Sequence, residues 1–223
     1  VELSEMGSAI LVDPAMQKLK NTAGAELFFV IFDKNKPSLK LLNSVEDHNI
    51  FTIRETGIVP LALDTLKFFW WCRSRKIDSV IDLELFSRYS ALLTGLSGAR
   101  NRVGFHAFHN EGLYRGAMLT HKVSYNAHQH IAKSFVGLVN ALLSANAEVP
   151  YSKTIVSDDE IKLRQAEVSA EQKSAILAKI REDYAEFDQA KHQIVLINPN
   201  ASELLPQRRW MKDRYAELMR RIL

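Results

Sequence analysis

Three short stretches carry residue types that can do chemistry. Glu5-Met6-Gly7-Ser8 sets a carboxylate, a glycine and a hydroxyl between an apolar stretch and a helix-like run. In a parallel α/β sheet, ligands sit at such a strand-to-helix turn. Helix N-terminal N–H groups point outward with partial positive charge there, so a nucleotide or sugar phosphate is expected at this turn. Glu84 follows the apolar run 78–83 and has two open readings, a second carboxylate in the same crevice or a cap on the next helix. Asn198-Pro-Asn-Ala201-Ser202, then Arg208, Arg209 and Trp210, offers hydroxyl, backbone N–H and guanidinium groups to a diphosphate. The other reading of that loop is solvated arginines and a tryptophan that only packs.

A fourth group is basic. Arg100, Arg102, His106, His109, Arg115, His121 and Lys122 fall within one short region, which suits a lip for an anionic ligand and equally a solvated basic loop. The pairs His106/His109 and His128/His130 have no cysteine or carboxylate pattern beside them, so no metal site is expected. The aromatic run KFFWWCRSRK is readable as an element at a membrane interface or as the buried face of a helix with a charged end.

The elements that must position these groups alternate. Helical spacing covers 9–20, with Ile10, Met16 and Leu19 on one face. Continuous apolar strands are expected at 26–32, 50–53 and 78–83, with helices near 38–42, 61–73 and 87–96 between them. Unbroken apolar strands separated by helices signal a parallel sheet covered on both faces, hence a doubly wound domain. Short strands at 102–105 and 119–125 and a long helix over 127–143 extend it. A charged helix at 169–187 is followed by a fresh buried strand at 193–198 and a helix at 213–223, the start of a second Rossmann-like unit. The expected division is a first domain over 1–190, with 169–187 as its linker helix, and a truncated second domain over 191–223.

The composition of the 223 residues, 47% hydrophobic and 25% charged, is that of a globular chain. A single cysteine excludes an intramolecular disulfide framework and fits a reducing compartment, so a cytoplasmic protein is expected. A net charge of +3 suits an anionic ligand but lacks the dense basic stripe of a nucleic-acid binder, so no nucleic-acid partner is expected. No Gly-x-Gly-x-x-Gly occupies the first turn, which argues against a dinucleotide-dependent oxidoreductase.

Three motifs together, EMGSAILVDPAMQKLK, DSVIDLELFSRYSALLTGLSGARNRVGF and VLINPNASELLPQRRWMKDRYAELMRRI, resemble glycosyltransferase family 9, the ADP-heptose:lipopolysaccharide heptosyltransferases. The resemblance implies a GT-B architecture, two Rossmann-like domains facing across a cleft, with acceptor on the first and nucleotide-sugar on the second. It implies inverting transfer of a sugar, heptose by the family's pattern, from a nucleotide-sugar such as ADP-heptose to a lipopolysaccharide-core acceptor. It implies no obligatory metal or other cofactor, and a site of work at the cytoplasmic face of the inner membrane, with peripheral membrane contact. Matched residue by residue, donor binding falls on Ala201, Ser202 and Arg208, the last usually a lysine in the family. The family's acceptor, an anionic lipopolysaccharide core, would suit a basic acceptor lip that includes Arg100 and Arg102. The family's Met-Gly-Asp, whose aspartate is the proposed general base, reads Met6-Gly7-Ser8 here. A serine hydroxyl does not titrate near neutrality, so Glu5 and Glu84 are the candidate substitutes. Asp13 lies about 140° around a helix from Ser8 and is expected to face elsewhere. The alternative is a catalytically silent family member that binds a glycan or nucleotide-sugar.

Overall fold

A computed structural model describes residues 1–41, 43–85, 87–106, 117–144, 155–198 and 206–222. The chain divides into two compact units, Val1–Glu167 and Val168–Leu223.

The first unit is built on parallel strands β1 (Phe29–Phe32), β2 (Ile50–Ile53), β3 (Ser79–Asp82), β4 (Asn101–Phe105) and β5 (His121–Val123). β1 pairs with β2, and β3 pairs with β4 and β4 with β5, all parallel. Residues 1–3 lie between the two sheets. The Glu2 N–H donates to the Val30 carbonyl and the Phe32 N–H to the Leu3 carbonyl, at 3.1 and 3.3 Å. On the other side the Val1 amine donates to the Ile81 carbonyl at 2.7 Å, and the Leu83 N–H to the Val1 carbonyl at 3.0 Å. The spatial order is therefore β2, β1, residues 1–3, β3, β4, β5, the doubly wound order the alternating pattern predicts.

Both faces of this sheet are covered, as its apolar strands require. On one side α2 (Asp13–Ala23) and α5 (Ile131–Leu143) pack with Phe29, Ile31, Val103 and Phe105. On the other, α3 (Ile58–Ser74) and α4 (Arg88–Leu96) bring Phe68, Cys72 and Leu93 against Leu3, Val30 and Ile53. Phe29 and Ile31 face one layer and Val30 the other, which is the period-two alternation of a strand buried on both faces.

Three local expectations change. The run 9–20 is two helices, α1 (Met6–Leu11) and α2, because Pro14 at the start of α2 lacks the N–H that a continuous helix would need there. The helix expected near 38–42 is a 3₁₀ stretch, Asp33–Leu41, with Pro37 inside it. The strand expected at 193–198 is absent: that segment pairs with no strand among the described residues, and Leu196 is 92% exposed. An apolar run becomes a strand only when a neighbour supplies the ladder bonds its N–H and C=O groups require. The second unit contains α6 (Ala170–Asp183) and α7 (Lys212–Ile222). A capping box between Ser169 and Gln172 starts α6, the first helix of the second compact unit.

Asp13 indeed turns away from Ser8. It is fully buried and held bidentate by Arg164, Nε to Oδ2 at 3.1 Å and Nη2 to Oδ1 at 2.9 Å, with Ser44 and Gln17 also donating to it. Burial pushes this carboxyl up, but the Arg164, Ser44 and Gln17 hydrogen bonds together hold it below the ordinary aspartate value. The pair ties the segment before α6 back onto α2. Arg164→Ala strands a buried carboxylate and is expected to cost about 3 kcal/mol. Asp13→Asn is expected to cost less, about 1 kcal/mol, because the half-exposed guanidinium can turn to water. Urea midpoints at constant m decide it; equal losses would contradict this asymmetry.

Candidate functional site

The sheet order reverses between residues 1–3 and β3. The chain leaves residues 1–3 for β1 on one side and later reaches β3 on the other, which opens a crevice at the carboxyl ends of these neighbours. Glu84 finishes the ladder there. The next rung of the parallel pattern would join the Leu3 N–H to the Leu83 carbonyl. Instead Glu84 Oε1 accepts from the Leu3 N–H at 2.9 Å, the Ser4 N–H at 3.0 Å and the Ser4 hydroxyl at 2.9 Å. This carboxylate is thus a backbone clamp that fixes where the turn leaves the sheet.

Glu5 is placed differently. It precedes α1 in an extended conformation, and its side chain makes no capping bond to the helix. The exposed carboxylate accepts from the Ser8 hydroxyl, Oγ to Oε2 at 3.1 Å. Glu5 therefore delivers a carboxylate to the position of Ser8, one helical turn on.

Beneath both lies Glu2, which sequence reasoning missed. It is only 3% exposed, and its Oε1 accepts from the Glu5 N–H at 3.2 Å. Burial first, and then the negative charge of Glu84, push its carboxyl up to about 8, against the smaller opposing effect of the Glu5 N–H. The missed signal was alternation: Leu3 packs on the α3 and α4 side, so the residue before it must enter the opposite covered face.

The phosphate expected at this turn would meet carboxyl groups rather than cations. Glu2, Glu5 and Glu84 share a small volume, so carboxyl groups line the turn. α1 has only six residues, too short a stack of peptide dipoles to offset them. The turn is chemically suited to accept a proton or a hydroxyl, not an anion.

The basic residues sit elsewhere. Arg100 precedes β4 and Arg102 is its second residue, so both lie toward the amino end of the strand, roughly 16 and 10 Å along it from the carboxyl end. The Arg102 guanidinium donates to the Met118 and Ala99 carbonyls, both at 2.6 Å, and so braces a loop. His106 and His121 are buried, and burial lowers the His121 value. His109 and Arg115 lie outside the described residues, as do Ala201 and Ser202. Arg208 is exposed in the 3₁₀ turn Pro206–Arg208 of the second unit. Trp210 packs edge-on against Tyr215 of α7, with ring centroids 5.2 Å apart. His130 caps α5 by accepting from the Ala132 N–H, and no three metal-ligating side chains converge among the described residues.

A family model, Glycosyltransferase family 9 (heptosyltransferase), matches residues 66–223. Among solved structures, the E. coli heptosyltransferase WaaC with ADP is similar at 17% sequence identity and a TM-score of 0.49, covering 66% of this chain and 49% of that one. The chain thus spans about half the length of that protein. No curated protein matches the sequence.

Glu2 gives the site a pH signature. Between the ordinary value of 4.5 and about 8 the folded chain holds a proton that the unfolded chain releases, so stability falls as pH rises through that window and levels off above it. Glu2→Gln removes the dependence. Its unfolding free energy is expected to match wild type near pH 5 and to exceed it by about 4 kcal/mol above pH 8. Parallel denaturation curves at the two pH values would contradict this if the difference did not grow.

Proposed function

Because the chain belongs to glycosyltransferase family 9, we propose that the protein moves a sugar, heptose by the family's pattern, from an ADP-heptose-type donor to a hydroxyl of a lipopolysaccharide-core acceptor. The transfer proceeds with inversion, in the cytoplasm and without an obligatory metal. One observation carries the reading: the exposed Glu5 carboxylate stands against the Ser8 hydroxyl, at the position where the family has an aspartate, on the crevice where the sheet order reverses.

In this reading Glu5 is the general base. The acceptor oxygen bonds to the anomeric carbon as the bond from that carbon to the diphosphate oxygen breaks. The bonding pair leaves with the nucleoside diphosphate, and the acceptor proton passes to Glu5. Ser8 orients the base by donating to one of its oxygens, which leaves the other for the incoming proton. Glu84 holds the Ser4 end of the turn, and the buried Glu2 carboxyl holds the Glu5 N–H. Both are positioning residues. Arg208, exposed and cationic, is assigned to the donor's diphosphate, where a fork of N–H groups replaces the family's usual point charge.

Glu5→Gln is expected to lower turnover by roughly 10² to 10⁴ while leaving nucleotide-sugar affinity unchanged in calorimetry. If Glu84→Gln alone produced that loss with native stability, the base would be reassigned. Wild type that binds donor but turns over no nucleotide-heptose with a core acceptor is instead the silent binding member that Ser8 favours. For the donor side, Arg208→Ala is expected to weaken nucleotide-sugar binding by about 1.5 to 3 kcal/mol. Unchanged affinity removes Arg208 from the donor site.

A further inference from the structure

The outward faces of α3 and α4 are apolar where a water-facing helix should be polar. On α3, Val59, Leu63, Leu66 and Trp70 recur at spacings of four, three and four, one helical stripe, and Trp70 is 73% exposed. On α4, Leu92 and Leu96 are half exposed, one turn apart. The helices are neighbours running the same way: the Thr65 and Tyr89 hydroxyls are 2.6 Å apart, and Arg73 donates to the Leu96 carbonyl at 3.3 Å. With Phe68 and Cys72 turned into the sheet, both stripes point away from it. A contiguous apolar patch of this kind marks an interaction surface.

Its charges select the partner. Lys67 flanks the α3 stripe, Arg88 heads the α4 stripe, and Arg73, Lys76 and Arg100 gather in a recess at the far ends of the helices. Asp64, the one carboxylate within the two fully described helices, is on the sheet side. Arg54 clamps it with Nε to Oδ2 and Nη2 to Oδ1 bonds of 2.8 Å, and these bonds hold it down to about 2. Asp78 shares the recess with Arg73, Lys76 and Arg100, so the face offers aliphatic and aromatic groups bordered mainly by cations. A second copy docked on it by two-fold symmetry would set these cations against themselves.

We propose that this face seats the protein on an anionic lipid bilayer. The stripe side chains enter the headgroup boundary, and Lys67 and Arg88 pair with lipid phosphates. Helices in a parallel sheet run opposite to the strands they follow. Val59 and Arg88 thus lie at the same end of the sheet as Glu5 and Glu84, and the lipid surface reaches the rim of the crevice. The use of the face, presenting a lipid-anchored acceptor, rests on the proposed transfer reaction; its binding to lipid does not.

The test is sedimentation of the full chain with vesicles of mixed phosphatidylcholine and phosphatidylglycerol, and with vesicles of phosphatidylcholine alone. Binding is expected to the mixed vesicles, weaker by about tenfold or more without the anionic lipid and in high salt. Leu66→Ser with Trp70→Ser, and separately Lys67→Gln with Arg88→Gln, are expected to weaken it by about tenfold each with thermal stability unchanged. Transfer to an acceptor stripped of its lipid anchor should survive both pairs of changes, so failure of the membrane face and failure of the transferase reading give different results. No binding to the mixed vesicles, or binding indifferent to these substitutions, overturns the proposal. A concentration-dependent dimer dissolved by Trp70→Ser overturns it in favour of a second copy.

Discussion

The first unit depends on three residues. Residues 1–3 bond to β1 on one side and to β3 on the other, so the two parallel sheets become one only through them. A strand at that place must be buried on both faces, and Leu3 at 1% exposure and Glu2 at 3% meet the demand. Leu3 does so as an aliphatic residue should. Glu2 does so by keeping its proton, since burying a lone carboxylate beside Glu84 costs far more than burying a carboxylic acid.

The chemistry of the turn follows from how that strand ends. Two side-chain oxygens replace backbone partners there: Glu84 accepts from Leu3 and Ser4 where the Leu83 carbonyl would have been, and Glu2 accepts from Glu5. Each carboxyl is engaged downward, into the fold. Glu5 alone reaches outward, tethered to Ser8, which separates a base able to meet a substrate from two carboxyls that shape its seat.

The same sheet accounts for the two faces of α3. Phe68 and Cys72 pack against Val30 and Ile53, while Arg54 holds Asp64 at the margin of that contact. What remains on the outside is apolar, and it neighbours the outward face of α4 only because Thr65 and Tyr89, and Arg73 and Leu96, join the helices. Within the aromatic run KFFWWCRSRK, Phe68 and Cys72 are core and Trp70 is surface.

How much was legible beforehand differs by level. Apolar runs separated by amphipathic ones were enough to set the parallel sheet, its layers and the strands 50–53 and 78–83, because burial on both faces demands that pattern wherever it occurs. The residue types of the turn, Glu5 with Ser8 and a glutamate after β3, were equally plain in the chain itself. Direction and company were not. Whether Glu84 served a substrate or the backbone of Leu3, residues about eighty positions away, depended on a contact that no local spacing encodes. Arg102 read as a ligand-binding cation until the fold set two carbonyls against it. The run 193–198 had every property of a buried strand except a neighbour to pair with. Periodicity is written along the chain, but hydrogen-bond partners and desolvation come from residues brought together only by folding. The amino-acid order therefore determined which elements form, and the tertiary structure decided which of their polar groups remain available for chemistry.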